Sequence, residues 1–147
     1  MSGNSPSPHY VSTSRAKLHE IYEDSLVEIR PLGAGPRDWV QAPQLIQGRG
    51  IPGVVITAWN PGKVRPDLAD NEAANQRLLM ELKASGHEIW EADGYSADHQ
   101  HREPGFIAWE MSPEVGCQIA QKFDQYAIFY YRADGSRAVI SVESRLA

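Results

Sequence analysis

The sequence predicts an α+β protein. Its core is a ferredoxin-like β-α-β-β-α-β unit, with an N-terminal helix-strand before it and an extra C-terminal strand after it. The sheet is expected to be antiparallel with the helices on one face. Three observations predict this. Short apolar or alternating runs stand at 54–58, 87–92, 106–111 and 126–132. Stretches with helical spacing separate the first run from the second and the third from the fourth. Asp134-Gly135 then supplies hairpin turn chemistry, folding a further strand back on the fourth.

Residues 1–14 are rich in Ser, Pro and Asn and read as a flexible tail. Residues 15–147 form a single α+β domain. Ser14 is a candidate N-cap for a short helix with Leu18, Ile21 and Tyr22 at i, i+3 and i+4. Ser25 to Leu32 is a half-buried edge strand, with Val27 and Ile29 on one face and Glu28 and Arg30 on the other, ended by Pro31. Residues 33–53 are Gly/Pro-rich without clear periodicity; the stretch is long for a loop, so part of it is expected to pack on the core or serve function, with a short helical turn near Arg37–Leu45.

Val54 to Ala58 is nearly continuous in apolar residues, as in a covered central strand. Pro61 holds Asn60 extended and stops it, and residues 62–66 make a loop. Asp70 is the expected N-cap of the next helix, which presents Ala74, Asn75, Leu78, Leu79 and Leu82 as one stripe and ends at Gly86. Asn71 and Asn75 share one side of it.

His87–Ala92 and Phe106–Met111 form a hairpin joined by a long polar connection, 93–104. Along its second strand Phe106 and Ala108 oppose Ile107, Trp109 and Met111. Ser112-Pro113-Glu114 starts a helix with a cap, a proline and an acid in the order a helix N-terminus favours. Gly116 allows that helix close to the sheet. Tyr126–Arg132 and Arg137–Glu143 are the last two strands.

The 147 residues are 41% hydrophobic and 22% charged, enough to bury a core. A net charge of -5 disfavours nucleic acid and anionic membranes as partners. Cys117 is the single cysteine, so no internal disulfide is possible. Without a long apolar run, a cytoplasmic protein with no membrane partner is expected.

Ile56-Thr57-Ala58-Trp59-Asn60-Pro61, then Asn71-Glu72 and Asn75, then Glu103 ahead of Phe106, then Phe123-Asp124-Gln125-Tyr126-Ala127, resemble a family of small bacterial proteins known as a domain of unknown function. The likeness spans about residues 15–132. Its pattern runs I-T-A-x-N-P, an Asn-bearing helix, E-x-S-F and F-G-Q-x-A. Gly105 stands where the family tends to have Ser, and Asp124 where it tends to have Gly. The resemblance points to positions and implies no mechanism.

Thr57, Trp59, Asn60, Arg65, Asn71, Asn75 and Glu103 are the candidate ligand-binding residues. Amide side chains offer a donor and an acceptor each, which suits a ligand of mixed polarity. The alternative for these asparagines is structural, holding the loop by its backbone. Asp67, Asp70 and Glu72 crowd the helix start with negative charge and argue against phosphate there. His99 and His101 stand as His-x-His and could ligate a metal with Asp93, Asp98 or Glu103, but spacing fixes no third or fourth ligand; the plainer reading is a solvated loop tip, and no metal or cofactor is expected. Strand aromatics such as Trp90, Trp109, Phe129, Tyr130 and Tyr131 read as core more readily than as an RNA-stacking surface.

The favoured function is a non-catalytic module that binds a small polar ligand or a protein partner at the Asn60-Pro61 corner. The alternative is a hydrolase or transferase acting on a nucleotide-like substrate, with Glu103 as general base aided by His99 or His101.

Overall fold

The computed structural model describes residues 9–10, 15–60 and 64–142. Among them are nine strands: β1 His9–Tyr10, β2 Leu26–Pro31, β3 Val40–Gln41, β4 Gly53–Ile56, β5 Val64–Arg65, β6 Ile89–Tyr95, β7 Arg102–Trp109, β8 Ala127–Tyr131 and β9 Arg137–Ser141. The four helices are α1 Arg15–Asp24, α2 Ala42–Arg49, α3 Leu68–Ala84 and α4 Pro113–Lys122. Seven strands form one antiparallel sheet in the order β3-β2-β6-β7-β4-β8-β9. β1 and β5 form a separate antiparallel pair. The remaining positions of the expected 1–14 tail, the Ser14 cap, Pro61 and Glu143 lie outside the described residues.

Strand alternation decides the layering. Val54 and Ile56 face one core with Phe106, Ala108, Ile128, Leu78 and Leu82 of α3, and Cys117, Ile119 and Ala120 of α4. Val55 faces a second core with Ile107, Trp109, Phe129 and Tyr131, which Ala42 and Ile46 of α2 and Tyr22 of α1 cover. The expectation of helices on one face is therefore corrected. α3 and α4 lie on one side of the sheet, and α1 and α2 on the other. With two alternating sets of apolar side chains on β4, both faces must be shielded from water.

Cover for the second face comes from the Gly/Pro-rich segment, where the helical turn expected near Arg37–Leu45 is a 3-10 turn followed by a full helix. The turn is Pro36–Asp38, and the helix, α2, ends where Gly50 adopts φ 71 and its N–H bonds to the Ile46 carbonyl. β3 pairs with β2, so β2 is not an edge strand as expected.

Three boundaries also move. Asp67, not Asp70, caps α3, its side chain accepting from the Asp70 N–H; Asp70 is the acid of the first turn. The connection between β6 and β7 shrinks to residues 96–101, because Asp93 and Arg102 pair within the sheet rather than looping out. Met111 turns from the Trp109 face to the α3/α4 core after Glu110, which has φ 63. Other local signals hold. Ser112 caps α4 through the Val115 N–H, and a Cβ at Gly116 would stand 2.7 Å from Val54. No helix among the described residues is long and apolar enough to cross a membrane.

Candidate functional site at the end of β4

β4 leaves the ladder after Ile56, and from there side chains take over the hydrogen bonds that neighbouring strands supplied. Asn75 Oδ1 accepts from the Ala58 N–H at 2.9 Å, and Asn75 Nδ2 donates to the Pro104 carbonyl at 2.9 Å. Thr57 Oγ1 donates to that same carbonyl at 2.6 Å and accepts from the Trp59 N–H at 3.0 Å. Asn71 Oδ1 accepts from the Asn60 N–H, and Asn71 Nδ2 donates to Asn60 Oδ1, both at 2.9 Å. Gln125 Nε2 donates to the Phe123 carbonyl at 3.2 Å and, at 3.4 Å, to that of Trp59.

This arrangement follows from α3. Residues one turn apart on a helix share a face, so Asn71 and Asn75 meet the outgoing chain together. They are 3% and 7% exposed. A buried amide must find partners, and the backbone of 58–60 is what lies opposite. Asn60 is not extended as expected from the following proline but adopts φ 48, in the left-handed region that asparagine tolerates better than most side chains, where Asn71 holds its backbone and its amide.

Asn60 links this latch to Glu103. Its Oδ1 is engaged by Asn71, which turns its Nδ2 toward Glu103 Oε2 at 3.4 Å. Asn60, Trp59 and Glu103 are all half-buried. Tyr22 lies near the carboxylate. Its phenol is held far above the usual range, by burial first and then by the negative charge of Glu103, so it keeps its proton. Tyr22 also packs its ring against Tyr126 and Phe129, at 5.8 and 5.5 Å.

Of the candidate residues, Thr57, Asn60, Asn71, Asn75 and Glu103 converge here, with Trp59 contributing its backbone. The backbone of Arg65 pairs with His9, while its side chain, Pro61 and Lys63 lie outside the described residues. His99 stacks on Tyr95, with ring centroids 5.2 Å apart.

Sequence reasoning missed two features. One is Gln125, whose amide ties the Trp59 and Phe123 carbonyls together. The second is a charged network over β2, β6 and β7. Arg102 bonds Asp93 at 2.7 Å and also Glu28. Arg30 bonds Glu91 at 3.1 Å and the Gly35 carbonyl at 2.7 Å. The Trp39 ring lies under both guanidiniums, at 4.2 Å from Arg30 and 5.1 Å from Arg102. Burial raises the Asp93 carboxyl above its ordinary value despite the Arg102 bond. The available signal was the alternation of Glu28/Arg30 beside Glu91/Asp93, opposite charges at period two on adjacent strands.

Residues 56–128 match the model of a family described as a protein of unknown function (DUF3293). The match runs from the last residue of β4 into β8, so it contains the whole latch. It supports the resemblance to a family of unknown function. No curated protein and no solved structure matches the chain.

Proposed function

We propose that this protein is a non-catalytic binding module for a small ligand bearing hydrogen-bond donors or positive charge. The site is the surface where Asn60, Trp59 and Glu103 meet at the end of β4. The observation that carries this reading is the orientation of Asn60. Asn71 fixes its amide and its backbone in a left-handed conformation, so its Nδ2 faces a carboxylate. Local strain maintained by surrounding structure is a mark of functional positions. A carboxylate held beside an oriented amide favours a donor over an anion, as do the acids Asp67, Asp70 and Glu72 at the α3 start. We read the motifs of the resemblance on the same corner. We also read the strand order β6-β7-β4-β8, with α3 and α4 on one side, as a ferredoxin-like core extended by β2, β3 and β9.

Native mass spectrometry of the purified protein tests the binding reading. The wild type is expected to carry, or to take up from a library of small amines and amides, a low-mass species. Glu103→Gln, which keeps the shape of the side chain, is expected to lose that species while its unfolding midpoint stays within about 0.5 kcal/mol of wild type. No adduct from the library, or undiminished binding by Glu103→Gln, contradicts the reading.

A further inference from the structure

The seven-strand sheet curls until its two margins approach each other. A Cβ on Gly135, in the β8–β9 turn, would stand 2.5 Å from the Pro43 carbonyl at the start of α2. In the gap lies a cavity of about 230 Å³, with Leu26, Val27 and Gln41 on the β2–β3 margin, Tyr131 and Arg137 on the β8–β9 margin, and Pro43 between them. It is remote from the Asn60 corner along β4, since Tyr131 pairs with Gly53 at the other end of that strand.

Arg137 differs from the arginines of the charged network. Arg30 and Arg102 each hold carboxylates. Arg137 is half-buried, donates to the Tyr131 hydroxyl at 3.3 Å and to the Glu23 carbonyl at 3.0 Å, and lies 4.5 Å over the Phe129 ring. No carboxylate among the described residues pairs with it. Its partners are a hydroxyl, a carbonyl in the last turn of α1 and a ring face, none of them a full negative charge, so the guanidinium keeps a net positive charge to offer an anion. Tyr131 is 1% exposed. Its oxygen accepts from Arg137, and no described group accepts its own hydrogen. Burial holds the phenol above its ordinary value, so that hydrogen stays on the oxygen.

We propose that this cavity binds a small monocarboxylate with an apolar body. The carboxylate would accept from the Arg137 guanidinium and the Tyr131 hydroxyl, and the body would lie against Leu26, Val27 and Pro43. One guanidinium matches one negative charge, and its planar fork fits a carboxylate. The volume is below the range that takes drug-sized ligands, which limits the body to a single ring or a short chain.

The test is a ¹⁹F NMR titration of the full chain with 4-fluorobenzoate, with neutral 4-fluorobenzamide as control. Saturable binding of the benzoate alone is expected. Arg137→Gln should weaken it at least tenfold, Arg137→Lys less, and Tyr131→Phe several-fold. If Arg137→Gln does not fold, Arg137→Lys and Tyr131→Phe decide, and unchanged affinity in both overturns the proposal. So does absence of saturable binding to the wild type, equal affinity for the benzamide, wild-type affinity in a folded Arg137→Gln, or tighter binding of inorganic phosphate. None of these outcomes depends on Glu103, so the result is separable from the reading of the Asn60 corner.

Discussion

The two ends of β4 handle polar groups in opposite ways. At the Asn60 end, Thr57, Asn71 and Asn75 bind the chain's own backbone, and the Asn60 amide is held between Asn71 and Glu103. At the Gly53 end, where β8 runs alongside, Arg137 and Tyr131 keep donor capacity that no described carboxylate engages. A concentration of polar side chains in the sequence thus mixes two roles: Thr57, Asn71 and Asn75 serve the fold, and the proposed site rests on Asn60 and Glu103. Asparagines at a strand exit are drawn into replacing the ladder bonds that the strand gives up. The proposed anion site rests instead on donors that no described carboxylate engages.

Substitutions at the latch should break this contrast most strongly. Asn75→Ala orphans the Ala58 N–H and removes a donor from Pro104, so chemical denaturation should show a loss of about 3 kcal/mol. Equal stability would mean the amide serves a ligand rather than the fold. Next comes Gly105→Ser, the residue that the family resemblance suggests. A Cβ there would stand 2.7 Å from the Ile56 carbonyl and 3.2 Å from that of Ala92. A loss of about 2 kcal/mol is expected unless β4 and β7 separate.

The charged network sharpens the comparison, because its ions are paired rather than left over. Arg102→Met should cost about 1 kcal/mol by leaving Asp93 buried without its cation. The sign at Asp93 runs the other way from most aspartates. Its carboxyl is raised in the fold, so the folded state holds the proton more tightly than the unfolded chain. Stability should therefore fall as pH rises from the ordinary aspartate value through the raised one. Asp93→Asn should flatten that slope in thermal unfolding. The smallest effect is expected at Asp124, which has φ 54. Asp124→Gly should stabilise by about 0.5 kcal/mol, since glycine adopts that conformation without steric cost.

Much of this was legible in the residues. Ser112-Pro113, Gly86 and Asp134-Gly135 signalled their caps and turn because local backbone chemistry decides such features. The i, i+4 pairing of Asn71 and Asn75 placed them on one side of α3. Of α2 only a helical turn near Arg37–Leu45 was legible, because Gly and Pro dominate its surroundings and its two buried residues, Ala42 and Ile46, are too few to display a period. The second core followed from that omission. The β6–β7 extension was missed because charged residues read as loop until the partners across the sheet are known; Arg102 lies nine residues from Asp93 but 74 from Glu28. Arg137 carried no signal at all. What sets it apart is that no carboxylate among the described residues pairs with it, which only tertiary structure reveals.

The latch is tested most directly by amide hydrogen exchange at Ala58 and Asn60. Neither belongs to a strand ladder, yet each donates to a buried asparagine of α3. Both amides should exchange as slowly as those of Val54 and Val55 within the sheet, and each should lose protection selectively when its own partner, Asn75 or Asn71, is replaced by alanine. Fast exchange at both positions in the wild type would contradict the account, and would return the asparagines to the role of ligand-binding groups.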